Sequence, residues 1–208
     1  MIGHGRLWAE LVGFYLGVPL LLAFGLPPST MWTVLAAVTG IGIVLLHRTE
    51  GFDWRELAVA RIEWRATVIF ALATALVAIV LTLTLMPQMW LYLPRTETAL
   101  WLTILALYPL VSALPQELIF RPLFFRRYGA LVPSGAGIWI NAALFSLAHL
   151  MYRDWIVLAM TFSGGLAFAW AYERRGSFWT AVLMHALAGG IVFTVGLGRL
   201  FYSGAVSG

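Results

Sequence analysis

Four ionisable side chains lie deep in apolar sequence. Glu117 and Arg121 stand four residues apart in the run from Ser112 to Tyr128, His149 follows Leu144-Phe145-Ser146-Leu147-Ala148, and His185 sits between Val182-Leu183-Met184 and Ala186-Leu187. On a helix, positions i and i+4 share a face one turn apart, so the carboxylate and the guanidinium can pair. An ionised pair in hydrocarbon is costly, and such residues face a bundle interior or a wet cavity. Each feature alone has a plain explanation: the pair can fix helix packing, and a lone buried histidine is usually packed and hydrogen-bonded. Two histidines and a carboxylate on three separate apolar segments are a less ordinary coincidence. Three chemistries use such a set. A carboxylate with one histidine can activate a water while the second histidine donates to an oxyanion. Two histidines and a glutamate can bind zinc with one position left open, although the close-spaced His-Glu-x-x-His pattern is absent. A proton relay in a transporter also uses Glu and His within membrane helices.

Composition sets the elements that must carry these residues. Of 208 residues, 62% are hydrophobic and 11% charged, with a mean hydropathy of +0.90. A soluble domain carries about a quarter charged residues, and a membrane-spanning helix takes roughly 20 apolar ones. The sequence therefore predicts an all-α, polytopic transmembrane helical bundle of about seven spans. They fall near Leu7–Leu26, Met31–Leu46, Ala66–Met86, Ala99–Tyr128, Ile138–Met151, Trp155–Tyr172 and Phe178–Val195. An eighth, short span in the tail is the alternative. The alternating ten-residue segments of a membrane β-barrel are absent. Residues 1–208 read as a single integral membrane domain without internal repeats, with the motif-bearing core at roughly 99–198. Pro109, Pro115 and Pro122 are expected to bend the fourth span, and Ser163-Gly164-Gly165 to let helices approach closely. The stretch from His47 to Arg65 is the most polar. Phe52, Leu57, Val59 and Ile62 in it could form one face of an interfacial helix, although mixed charge reads more simply as a solvated loop helix.

The formal net charge of +4 comes from 13 arginines, no lysine and nine acids. The arginines lie mostly between apolar runs, which is a topology signal and no sign of nucleic-acid binding. With the N-terminus in the cytoplasm, nine of them (Arg6, Arg48, Arg55, Arg61, Arg65, Arg126, Arg127, Arg174 and Arg175) fall inside and three (Arg95, Arg153 and Arg199) outside. A bacterial inner membrane is the expected location. Glu10 interrupts the first apolar run and no small-x-small cleavage site follows, so that run is expected to be a retained span. The absence of cysteine excludes disulfides and thiolate chemistry.

Taken together, these residues resemble the CAAX protease and bacteriocin-processing family of intramembrane proteases, also called CPBP or ABI. Its pattern is Glu-Glu-x-x-x-Arg, then Phe-x-x-x-His, then His followed four residues later by Asn, Asp or Ser, on successive membrane helices. Here stand Gln116-Glu117-x-x-x-Arg121, Phe145-x-x-x-His149 and His185-x-x-x-Gly189. The resemblance implies an intramembrane endopeptidase that cleaves membrane-associated proteins or peptides. Its catalytic set would be Glu117, His149, His185, Gln116 and Arg121, with Arg121 holding the carboxylate ionised. Phe145 would pack beside His149, and Asn141, two turns earlier, would line the same face toward substrate or, as an equal alternative, make an interhelical hydrogen bond. The expected partners are a membrane protein or peptide substrate and the lipid bilayer. No cofactor is expected; zinc held by Glu117, His149 and His185 is the alternative.

Two positions depart from the family pattern. Gln116 replaces the first glutamate, and an amide is not a base. Gly189 lacks the side chain that the third motif would offer to an oxyanion. Either Glu117 takes over as base with His149, or the chain is a non-catalytic relative that binds membrane segments, scaffold- or chaperone-like. The first account needs a local bend near Pro115, because adjacent helical residues point about 100° apart. A proton-coupled transporter comes third, since transporters are usually built from repeats.

Overall fold

The computed structural model describes residues 3–59 and 61–201. Six helices are long and apolar enough to cross a membrane, and a shorter apolar one joins them: α1 His4–Phe24, α2 Pro28–His47, α3 Trp64–Leu85, α4 Thr98–Leu131, α5 Gly137–Tyr152, α6 Trp155–Glu173 and α7 Phe178–Val195. These are the seven expected segments, and the described residues contain no strand. The tail that was a candidate for an eighth span is a single 3-10 stretch, Leu197–Phe201, as far as it is described.

Large apolar side chains such as Ile69, Leu72 and Leu76 of α3 are about two-thirds exposed. That pattern suits a helix whose outer face meets hydrocarbon instead of water. The core lies elsewhere. Tyr15 of α1, Leu46 of α2, Phe120, Leu123, Phe124 and Tyr128 of α4, Phe145 of α5, Phe168 of α6 and Met184 of α7 form one buried cluster. Helix α3 lies at its margin and packs chiefly along α7.

Local signals set the ends. Asp154 caps α6 by accepting from the Ile156 and Val157 amides, and Ser177 caps α7 through the Thr180 amide. Gly196 ends α7 with φ of +107°, a left-handed conformation natural to glycine. Where α5 crosses α6, a Cβ on Gly165 would stand 3.0 Å from Ala142 Cα. The expected small-residue contact is therefore made at Gly165.

Helix α4 does not break at its prolines. It widens into π-type turns over Pro109–Ala113 and Ile119–Tyr128, while Pro115 sits in an ordinary α-helical turn, Leu114–Leu118. Wide turns of this kind free backbone groups and recur at functional sites. Two carbonyls at the start of the second run bond to other helices. Ile119 accepts from the Tyr15 hydroxyl at 2.6 Å, and Phe120 accepts from the Asn141 amide at 2.6 Å.

The polar stretch after α2 corrects one expectation. Among its described residues only Arg55–Ala58 is helical before α3 begins, because a turn at Gly51 (φ +76°) precedes it and extended backbone at Val59 follows it. Phe52 and Leu57 pack against the start of α7, whereas Val59 is 63% exposed. The four apolar residues therefore do not share one helical face.

Candidate functional site

The site begins with two neighbours on α4. Glu117 and Gln116 are adjacent, so their side chains diverge by about 100°. Glu117 is fully buried. Its Oε2 accepts from Arg121 Nε at 2.7 Å, and its Oε1 accepts from His185 Nδ1 at 2.8 Å. Arg121, also fully buried, donates onward to the Asn141 side-chain oxygen. Asn141 then closes the chain of bonds on the Phe120 carbonyl. One buried carboxylate thus ties α4 to α7 directly and to α5 through Arg121. Pairing and full hydrogen bonding are what make buried charge tolerable.

Gln116 points the other way, into a cavity of about 610 Å³ walled by apolar residues of all seven helices. Its amide nitrogen donates to Ser112 Oγ at 2.9 Å. Tyr108, Ser112, Gln116, His149, His185 and Gly189 all line this cavity, whereas Glu117, Arg121 and Asn141 do not. His149 lies where the α-helical part of α5 gives way to a 3-10 turn. Its Nδ1 bonds to the Phe145 carbonyl at 2.8 Å. A carbonyl only accepts, so Nδ1 carries the hydrogen, and Nε2 of the neutral ring is the acceptor left to the cavity. His185 is held by Glu117 at Nδ1 and stacks face to face on Phe168, with ring centroids 5.1 Å apart. Phe145 stands between the two regions. Its ring centroid is 4.9 Å from that of His149 and 5.4 Å from that of His185, and the Arg121 guanidinium lies 5.2 Å from it.

This placement sorts the predicted residues. Gln116, His149, His185 and Phe145 converge on the cavity. Arg121 holds the Glu117 carboxylate as expected. Glu117 pairs with His185 rather than with His149, because no bend at Pro115 turns it toward α5. Of the two readings of Asn141, a substrate contact or an interhelical bond, the structure has the interhelical bond, within the sealed cluster. The zinc alternative gains no ligand set: among the described residues no three His, Asp or Glu side chains are grouped to hold a metal ion, and both Glu117 oxygens are engaged by Arg121 and His185. Ser112 and Tyr108 are among the polar cavity residues that escaped the motif reading. Their spacing of four and eight residues before Gln116 was the available signal, since a helix stacks such positions on one side.

Residues 97–191 match the family model of the Rce1-like type II CAAX prenyl endopeptidases. Over this stretch, which holds the motif-bearing core, the chain is similar to the CAAX protease family. The match covers all three motifs and excludes α1, α2 and α3. The cavity wall is completed by helices outside the match, including Tyr15 of α1, Leu35 of α2 and Phe70 of α3. No curated protein and no solved structure matches the chain.

Proposed function

We propose that the chain is an intramembrane endopeptidase whose water-activating base is His149. The observation that carries this reading is the Nδ1 bond of His149 to the Phe145 carbonyl. It fixes the tautomer that presents an unprotonated Nε2 to the cavity. An apolar segment of a membrane-associated substrate would lie along the cavity with its scissile carbonyl at the polar end. Water attacks the carbonyl carbon while its proton passes to His149 Nε2. The carbonyl electron pair moves onto oxygen, beside His185, which can donate there when both of its ring nitrogens carry hydrogen. Collapse of the tetrahedral adduct breaks the C–N bond, and His149 returns the proton to the departing amine. Gln116 would orient the water without taking its proton.

Purified full-length protein in nanodiscs, incubated with a library of membrane peptides and read by mass spectrometry, tests the reading. His149→Ala is expected to lose cleavage by about 10²–10⁴-fold while remaining folded. Cleavage by His149→Ala at the wild-type rate would overturn it. A non-catalytic membrane-segment binder is the second reading, favoured by the sealing of Glu117 and by the amide at 116. It predicts an uncut partner that co-purifies, no cuts by wild type, and cuts by Gln116→Glu. Loss of cuts with chelator would return zinc to consideration.

A further inference from the structure

We infer that the Tyr108 hydroxyl is a polar contact for the substrate carbonyl at the cavity's active end, occupying the space that Gly189 leaves vacant. The inference rests on the endopeptidase reading of the same cavity. A Cβ built on Gly189 would fall 2.2 Å from Tyr108 Cε1, 2.4 Å from Cζ and 2.8 Å from the hydroxyl oxygen. Distances under 3.0 Å to ring atoms are steric exclusions, so only glycine at 189 admits the ring in this place. The ring has little room to retreat. It stands edge-on to His185, with centroids 5.9 Å apart, and to Phe193, also at 5.9 Å.

The hydroxyl is thereby held at the polar end, on the same cavity as Gln116, His149 and His185. Chemically this end needs an acceptor for the water's proton and donors for the oxygen on which charge develops. His149 supplies the acceptor. A tyrosine O–H is a donor that needs no charge of its own, and held near His185 it completes a second donor. Glycine at 189 is then a requirement of this arrangement, with the donor supplied from α4 instead of α7.

The test uses full-length protein in nanodiscs with two readouts. In turnover, Tyr108→Phe keeps the ring and is expected to lower kcat about 100-fold with KM little changed. Gly189→Asn alone is expected to fail by collision with the ring, and Tyr108→Ala/Gly189→Asn to recover at least tenfold over Tyr108→Ala. The second readout needs no turnover: the affinity of an apolar peptide phosphinate, a tetrahedral anion, against its methylene analogue. Wild type is expected to prefer the phosphinate, and Tyr108→Phe to lose at least tenfold of that preference while binding the analogue unchanged. Equal preference in wild type and Tyr108→Phe, or none in wild type, would overturn the inference. A Tyr108-dependent preference in a wild type that cuts nothing would overturn only the endopeptidase reading.

Discussion

Gln116 and Glu117 are consecutive residues with opposite surroundings. Glu117 is bonded at both oxygens and sealed from the cavity; Gln116 keeps one bond to Ser112 and meets the cavity. The carboxylate is the stronger acid–base group, yet it stands where only the bundle can use it. The amide has no acid–base chemistry, yet it stands where substrate would lie. Proximity in sequence is therefore a poor guide to role on a helix, where a step of one residue turns the side chain away from its neighbour. The sealed region joins helices, and the open region offers hydrogen bonds to something not part of the chain.

The largest effect expected is at the sealed side. Arg121→Ala leaves Glu117 buried without its main partner, which destabilises by about 3–5 kcal/mol. Thermal unfolding in detergent should show the loss. The apolar pair Glu117→Leu/Arg121→Met should be milder than Arg121→Ala, because an apolar replacement leaves no uncompensated charge. A double variant as unstable as Arg121→Ala would erase the distinction between pairing and packing.

On the open side the effect should be on rate and not on folding. Gln116→Glu places a carboxylate at the cavity beside His149 and should raise cleavage by about 10–100-fold, at the low end of general-base contributions, with the unfolding temperature little changed. A large loss of stability without a gain in rate would mean that 116 also belongs to the sealed framework.

Phe145 divides the two regions, so a small displacement of it should disturb both. A Cβ on Gly165 would meet Ala142 Cα at 3.0 Å and Phe145 Cδ1 at 3.3 Å. Gly165→Ala should cost about 1–2 kcal/mol as an overpacked helix crossing and should lower activity with it. Unchanged activity in a destabilised Gly165→Ala would show that the partition tolerates movement.

The fold was legible because hydrocarbon imposes one solution, helices of near-fixed length. The six helices long enough to cross and the shorter α5 all follow from apolar runs and the polar gaps between them. The candidate site was legible as residue types: Gln116, Phe145, His149 and His185 do share a cavity. Which way each residue faced was not legible. A sequence shows that Glu117 lies near His149 and His185 in kind, but only the winding of α4 decides that it bonds to His185. Asn141 stayed open between two roles for the same reason, since a polar residue two turns from His149 could serve either a substrate or a neighbouring helix. Tyr108 was missed because its significance lies in an absent side chain at 189, a relation between helices that no local pattern carries.

The same Glu–Arg chemistry at the surface gives the smallest effect and the clearest contrast with Glu117. Glu63, at the start of α3, pairs with Arg61 and with Arg175, each at 3.0 Å. The hydrogen bond from Arg175 is the main cause holding its carboxyl below the ordinary value of 4.5, with the charges of Arg175 and Arg61 adding to it against partial desolvation. A lowered value in the folded state means that the unfolded chain binds the proton more readily. The stabilisation is therefore present above about pH 4.5 and disappears as pH falls through the folded-state value. Exposed pairs are also screened by salt, which a sealed pair is not. Unfolding temperatures of wild type and Glu63→Gln in detergent should thus differ slightly at pH 6, converge as the pH is lowered past the folded-state value, and converge at pH 6 in about 1 M salt. A difference that survives both acid and salt would mean that the Glu63 side chain acts through neutral contacts instead of charge, since its backbone bond to Thr180 is common to both proteins.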